Sequence, residues 1–524
     1  MKKIYGIVSW RGERKAMSML EFIVCITVCA VAVFGWSEDM NSNQILPKQY
    51  YTLMAVSVAV IVLAVKVLIG KRIRLDFDIM SVLIFVICTV EAVYALCQWM
   101  DWAVPNMTYR VTGHFDNPAG LVACLCVGIP FSLYQYGRIP TKVIFICLSI
   151  IFMAIIISKS RTGIMAASVL LIDFVLRLRE VTVRKRATVI VVVATTLIVV
   201  GYFLKRDSAD GRMLIWLCSC DMLCDSPWVG HGIDSFRRFY MDYQADWLVS
   251  HPGNTYAMLA DNAVAPFNEF LNFTLCFGIM GICGLVALIV FVWRVARKSP
   301  SSERYTALSL LGCVGLMSLF SYPFTYPLTW ITVITCVMVL IVGTIKFSMA
   351  VRRMLAWAAI LTVAVLSGSI WKRIEAEFRW KDTYMTHDLA GYECLMPMLG
   401  KEPFFLYNYA VELMGKGEVG RSLEVALMCD EYLAHYDLEL LLGDLYTMRG
   451  EFALAESRYI RACAMCPCRF VPLNQLYDLY MAHGHEDEAL AIARKVVDKQ
   501  VKVKSLTVSQ IRYKMRKILN SVDK

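Results

Sequence analysis

The sequence predicts an all-α fold: a polytopic membrane helix bundle with a large outward loop and a C-terminal helical-repeat domain. Three observations predict it. The 524 residues are 58% hydrophobic and only 18% charged, whereas water-soluble chains are about a quarter charged, so a soluble enzyme is excluded. Apolar runs of about 20 residues, each enough for a helix to cross the ~30 Å hydrocarbon core of a bilayer, recur over residues 1–371. Beyond that point charge rises and a helical repeat of about 34 residues takes over. The net charge of +10 would suggest nucleic acid in a soluble chain. In a membrane chain, excess Lys and Arg mark cytoplasmic loops instead, and no nucleic-acid partner is expected.

About eleven runs are bounded by charge, Pro or Gly: residues 17–36, 50–69, 78–99, 118–137, 141–158, 162–178, 187–204, 270–293, 306–322, 327–346 and 354–371. Lys2, Lys3, Arg11, Arg14 and Lys15 precede the first and place the N-terminus in the cytoplasm. Every second loop then repeats the signal, with Lys71, Arg72 and Arg74; Arg138 and Lys142; Arg177, Arg179, Arg184, Lys185 and Arg186; Arg294, Arg297, Lys298 and Arg304; and Lys346, Arg352 and Arg353. An odd number of crossings puts the C-terminal domain on the side of the membrane opposite the N-terminus. The first run has no small-residue cleavage site before Ser37-Glu38-Asp39-Met40 and is too long for a signal peptide, so it is read as a retained helix. Cysteines such as Cys25, Cys29, Cys88, Cys124, Cys126 and Cys147 lie in apolar runs and act as small hydrophobes. Cys218, Cys220 and Cys224, like Cys463, Cys466 and Cys468, lack the spacing and His partners of a zinc site. No metal and no cofactor is expected.

Three outward segments depart from short bland loops: residues 100–117, the junction Ser158-Lys159-Ser160-Arg161-Thr162-Gly163, and the loop 205–269. In that loop Met213, Leu214, Trp216 and Leu217 are spaced as a helix that stops at Ser226-Pro227. After Gly230-His231-Gly232, the stretch Ser235 to Trp247 reads as an amphipathic helix whose Phe236, Phe239, Tyr240, Tyr243 and Trp247 suit the membrane interface. The domain boundary falls at 371/372. In 372–524, Leu442, Gly443, Tyr446, Ala455, Tyr459, Ala462 and Pro467 match the offsets of a tetratricopeptide unit. The next unit repeats Tyr446 as Tyr480, Gly450 as Gly484 and Ala455 as Ala489, and a degraded unit around Gly417, Ser422 and Ala426 precedes with a one-residue offset. Such repeats offer binding surface for a protein partner rather than catalysis.

Arg161 stands at the outer end of a run, against the inward bias of cations, and an anionic ligand would explain it. The competing reading is an Arg that snorkels to lipid phosphates. Arg212 and Arg110, each close to a glycine, are further outward cations, and three guanidinium groups on one side would suit a diphosphate. His231, His251 and His114 are outward proton-acceptor candidates, each with a solvated or capping role as the alternative. Asn268 and Glu269 open the eighth run, where the helix dipole favours a carboxylate in any case. Neither a Ser-His-Asp spacing, a P-loop, a dinucleotide-binding glycine motif nor HExxH is present.

Taken in order, these motifs resemble the O-antigen ligase and O-antigen polymerase superfamily over roughly residues 75–345. Arg110-Val-Thr-Gly-His-Phe-Asp-Asn117-Pro-Ala-Gly, Ser160-Arg161-Thr-Gly, Gly211-Arg212-Met-Leu-Ile-Trp, Asp225-Ser-Pro-Trp-Val-Gly-His231-Gly-Ile-Asp-Ser-Phe236, then Phe267-Asn268-Glu269-Phe-Leu and Phe277-Gly-Ile-Met-Gly281 carry the resemblance. With its repeat extension, the chain looks like a Bacteroidetes-type member. The resemblance implies metal-independent, inverting transfer of a glycan from undecaprenyl diphosphate to a periplasmic acceptor hydroxyl, of lipid A-core or a similar glycolipid or a protein. It also implies Arg161 and Arg212 as stabilisers of the diphosphate and Arg110, Asn117 and Asn268 as substrate contacts, and, since the family's usual His is missing, Glu269, His231 or His251 in its place as base, Glu269 and His231 first. One departure stands out. The family carries a His beside the Asn of the eighth-run motif, and residues 263–268 here read Ala-Val-Ala-Pro-Phe-Asn. Ligase and polymerase readings both remain open, as does a non-catalytic scaffold. A transporter is disfavoured because the unusual residues cluster at one face rather than mid-bilayer.

Overall fold

The computed structural model describes residues 19–42, 44–71, 76–297, 301–342 and 348–522. The orienting cations Lys2, Lys3, Arg11, Arg14, Lys15, Arg72, Arg74, Lys298 and Lys346 lie outside the described residues. Among those described, the chain is helical, with no β-strand beyond isolated bridges. Seven helices come first: α1 (Met19–Phe34), α2 (Ile45–Leu68), α3 (Phe77–Trp99), α4 (Pro118–Tyr134), α5 (Thr141–Ile157), α6 (Arg161–Leu178) and α7 (Val183–Leu204). Two follow in the long loop, α8 (Arg206–Asp225) and α9 (Ser235–Ser250). Then come α10 (Glu269–Ala296), α11 (Ser301–Ser318), α12 (Pro327–Val342) and the long α13 (Met349–Thr386). The chain closes with α14 (Leu389–Leu399), α15 (Pro403–Gly415), α16 (Val419–Asp430), α17 (Tyr436–Met448), α18 (Phe452–Met465), α19 (Val471–Ala482), α20 (Glu486–Asp498) and α21 (Leu506–Val522).

Each of the eleven apolar runs read from the sequence is occupied by a helix. By length and composition α2, α3, α7, α10 and α13 are able to cross a membrane, and α1, α4, α5 and α12 are shorter apolar helices. Two of the eleven depart from a simple span. α13 continues to Thr386, well past the expected end at 371. α10 is broken at Gly278, whose φ of 61° and ψ of −163° lie where side-chain-bearing residues do not go.

The chain divides into two compact units, residues 1–204, 267–269 and 284–378 in one, and 205–266, 270–283 and 379–524 in the other. Sequence reasoning drew one boundary at 371/372 and left the loop with the membrane part. The packing instead groups residues 205–266 with the C-terminal helices. In the first unit α4 is central: every residue from Gly120 to Tyr134 is buried, against α3, α5, α6, α11 and α12. Its sequence is apolar all round, which only a fully surrounded helix can bury. α7 is the opposite case, apolar with no buried residue, as suits a face turned to lipid.

In the second unit, α15 packs on α16, α17 on α18 and α19 on α20 as successive pairs. Gly417, Gly450 and Gly484 turn each pair with positive φ, and Gly443 lets α17 close on α18: a Cβ there would sit 2.4 Å from the Tyr459 ring. Of the five aromatics of α9, two are buried in protein, while Phe239, Tyr243 and Trp247 stay partly exposed. Phe236 and Tyr240 are buried within this unit together with Gln244 and Leu248, one turn apart along a single stripe. Gln244 donates its Nε2 hydrogen to the Met465 carbonyl at 2.7 Å. Arg461 of α18 grips Asp242 at 2.8 Å and also pairs with Asp246. An apolar stripe that finds protein surface has no need of lipid.

Candidate functional site

The loop between α3 and α4 is built on two polar side chains of α3. Gln98 accepts through Oε1 from the backbone N–H of Thr112 (3.0 Å) and Gly113 (2.8 Å), and donates to the carbonyls of Val104 (3.1 Å) and Gly113 (3.2 Å). Glu91, with no exposed surface, accepts the backbone N–H of His114 at 2.7 Å and faces its ring nitrogen Nδ1 at 2.7 Å. Gly113 is what admits the carboxylate, because a Cβ there would lie 1.9 Å from Glu91 Oε1. The His114 ring is stacked on Tyr94 (4.0 Å) and meets Phe34 edge-on (5.0 Å).

A few residues on, Asn117 caps α4: its Oδ1 accepts from the N–H of Ala119 (2.8 Å) and Gly120 (3.2 Å). Its Nδ2 donates to Asp116 Oδ2 (2.6 Å) and Tyr322 Oη (3.3 Å), and the Tyr326 hydroxyl reaches Asp116 and Asn117 at 3.2 Å each. Burial raises the Asp116 carboxyl above its ordinary value, against the hydrogen bonds that hold it down. Lys48 is buried nearby, its ammonium donating to the Gly35 carbonyl at 2.8 Å and lying 5.4 Å over the Phe115 ring. At the start of α10, Glu269 accepts the N–H of Phe324 at 3.2 Å. Asn268 immediately precedes that helix, after Phe267, whose positive φ of 52° turns the chain and whose ring lies 5.6 Å from that of Tyr322. Expected site residues Asn117, Asn268 and Glu269 thus come from two segments to the neighbourhood of Tyr322–Tyr326.

Arg161 is the first residue of α6, where Ser160 caps the helix by accepting the Gly163 N–H, and its Nη1 donates to the Gly201 carbonyl of α7 at 2.7 Å. Arg110, an expected substrate contact, lies in the loop between α3 and α4. It is exposed, with φ of 60°, and is held by Asp101 at 2.7 Å and the Trp99 carbonyl at 3.1 Å. That ion pair closes the loop on itself.

Arg212 lies in the first half of α8, in the second unit. There the sequence motifs Trp228-Val-Gly-His-Gly and Phe277-Gly-Ile-Met explain each other. His231 and Gly232 donate their N–H groups to the carbonyls of Leu275 (2.8 Å) and Cys276 (3.0 Å), while Ile279 and Met280 donate to Pro227 (2.9 Å) and Trp228 (3.1 Å). The four bonds satisfy backbone groups that the break in α10 frees. Both glycines are required for so close an approach. A Cβ on Gly278 would meet the Trp228 carbonyl at 2.3 Å, and one on Gly230 would meet the backbone of Leu275–Phe277 at 2.6 Å. The His231 side chain contributes to the same strap: its Nε2 lies 2.7 Å from the Met222 carbonyl near the end of α8 and can only donate there, which leaves Nδ1 for any proton acceptance. His251 is exposed, stacked on Trp247 at 4.3 Å, with Nδ1 on the Trp247 carbonyl at 2.9 Å.

Sequence reasoning passed over Glu91, Lys48, Tyr322 and Tyr326. A signal for Glu91 existed: an ionisable residue inside an apolar run is costly and asks for a reason. The tyrosines carry no such signal, since aromatic residues at span ends are ordinary. All nineteen cysteines are free thiols, and among the described residues no cluster of three or more His, Cys, Asp or Glu could hold a metal ion.

Residues 146–286 match the family model described as O-antigen ligase. No curated protein matches the chain. The matched segment runs from within α5 to within α10 and includes Arg161, Arg212, His231, Asn268 and Glu269, whereas Arg110, His114 and Asn117 precede it. The chain is therefore a multi-pass membrane protein that over residues 146–286 is similar to the O-antigen ligases, a family of membrane glycosyltransferase-like enzymes.

Proposed function

We propose that this protein transfers a glycan from undecaprenyl diphosphate to an acceptor hydroxyl, as an O-antigen ligase-like enzyme of the bacterial inner membrane acting on the periplasmic side. The observation that carries the reading is the O-antigen ligase match over 146–286 with Arg161 and Arg212 inside it. The acceptor oxygen attacks the anomeric carbon from the face opposite the diphosphate, the glycosidic bond to phosphate breaks, and the electron pair leaves on the diphosphate. Negative charge grows on that group, and guanidinium groups match paired phosphate oxygens and stay charged throughout. On the sequence resemblance, Arg161 and Arg212 take this role, which requires no metal, and Arg110, Asn117 and Asn268 contact substrate. Glu269 or His231 is the proton acceptor that the sequence alone suggests. The acceptor is lipid A-core or a similar glycolipid. The paired helices of 379–524 act as tetratricopeptide-like repeats that dock an acceptor or an envelope protein.

Arg161→Ala and Arg212→Ala, made separately in the source cell, test this. Loss of one charge that meets the transition state is expected to cut transfer by about 10²–10³-fold, read as long glycan stranded on the lipid carrier with bare acceptor. A ladder collapsed to single repeats makes the protein a polymerase instead. Unchanged glycans at unchanged protein level remove the arginine mechanism and leave a non-catalytic scaffold.

A further inference from the structure

Glu91 and His114 form the pairing by which an imidazole is made into a base. The carboxylate is fully buried, and its Oε2 lies 2.7 Å from Nδ1, so the proton of a neutral ring is held on Nδ1 and Nε2 presents its lone pair. The ring is stacked on Tyr94 and meets Phe34 edge-on, yet the side chain is 34% exposed. Nε2 has no hydrogen-bond partner among the described residues, in contrast to that of His231. Stapling the loop to α3 does not account for the arrangement. The Gln98 bonds to Val104, Thr112 and Gly113, with the bond from the His114 backbone to Glu91 Oε1, already do that without the ring.

We propose that His114, oriented by Glu91, accepts the proton of the acceptor hydroxyl in the transfer reaction, a role that rests on the function proposed above. The hydroxyl O–H bond breaks as the oxygen bonds to the anomeric carbon, and the proton passes to Nε2. The anomeric carbon–phosphate oxygen bond breaks with its electron pair leaving on the diphosphate. The imidazolium is balanced by Glu91 and afterwards returns its proton to the departing lipid diphosphate or to water. This supplies a base where residues 263–268 carry no His. Glu91 is a positioning residue.

The decisive variant is Glu91→Gln. The backbone N–H of His114 can only donate, so the new amide must turn its oxygen to that N–H and its NH₂ to Nδ1. Both hydrogen bonds survive, but the ring proton moves to Nε2 and the base is lost. The full chain in lipid nanodiscs is given a lipid-diphosphate-linked glycan and an acceptor glycolipid, and kcat and the donor KM are measured for wild type, Glu91→Gln and His114→Gln. Both variants are expected to lose about 10²–10⁴-fold in kcat with donor KM and thermal stability unchanged, and imidazole is expected to restore part of the activity of His114→Gly. If the wild type transfers glycan and both Gln variants stay within about threefold of it, far short of a general-base effect, the dyad is structural and the inference is overturned while the proposed function stands. If the wild type transfers nothing from a lipid-diphosphate donor, the proposed function falls, and the role of His114 with it.

Discussion

At the scale of single residues, Gly278 shows how one missing Cβ permits a local architecture. Its backbone breaks α10, and the absence of a Cβ leaves room for the 227–232 segment to bond on either side. Gly278→Ala adds a strained backbone conformation and a 2.3 Å overlap with a carbonyl oxygen. It is expected to cost about 3 kcal/mol or more, seen as a lowered unfolding temperature of the purified protein. Gly211, beside Arg212, is the control. It is inside α8 with nothing within 4 Å of its added Cβ, so Gly211→Ala is expected to leave stability unchanged or raise it by up to about 1 kcal/mol through helix propensity.

At the scale of elements, α17 and α18 are joined by a buried charge cluster whose balance depends on pH. Arg458 of α18 reaches Asp430 at 3.0 Å and Glu439 at 3.2 Å. Burial pushes the Glu439 carboxyl up to about 7, with Arg458 pulling it back only in part. The folded state therefore holds a proton that the unfolded chain has already released between pH 4.5, the ordinary value, and about 7. Stability from this group is full below that window and falls as pH rises through it, by on the order of 3 kcal/mol. Thermal unfolding followed from pH 5 to pH 8 should show the decline in the second unit, and Glu439→Gln should flatten it.

At the scale of the whole molecule, the loop and the C-terminal helices share one core. Gln244, Asp242 and Asp246 of α9 bind Met465 and Arg461 of α18, and Asp261 pairs with Arg469 at 2.6 Å. A chain ending at residue 378 loses those partners and uncovers Phe236, Tyr240 and Leu248. Such a truncation is expected to make residues 205–266 open to proteolysis and, under the proposed function, to reduce glycan transfer, because Arg212 and His231 lie in that segment. Limited digestion with mass mapping reads the first effect, and a truncated chain whose loop stays protected would show that 205–266 folds without the repeats.

Much of this organisation is legible without a structure, because hydropathy and helical periodicity are local properties. The eleven apolar runs are helical, α8 stops at Ser226-Pro227 as its sequence dictates, and the glycine spacing of the C-terminal helices reappears in their turns. What tertiary structure decided is everything that depends on partners distant in the chain. A stripe of aromatics along α9 says that a surface must cover it but not whether that surface is lipid or α18. Gly278 in an apolar run is compatible with a straight helix until the 227–232 segment arrives to bond with its broken backbone. Arg110 reads as a free cation until the loop brings Asp101 to it, and Glu91 reads as an oddity until the chain returns 23 residues later with His114. Composition settles what a segment must bury, whereas only the fold settles which group meets which, and proton transfer depends on the second.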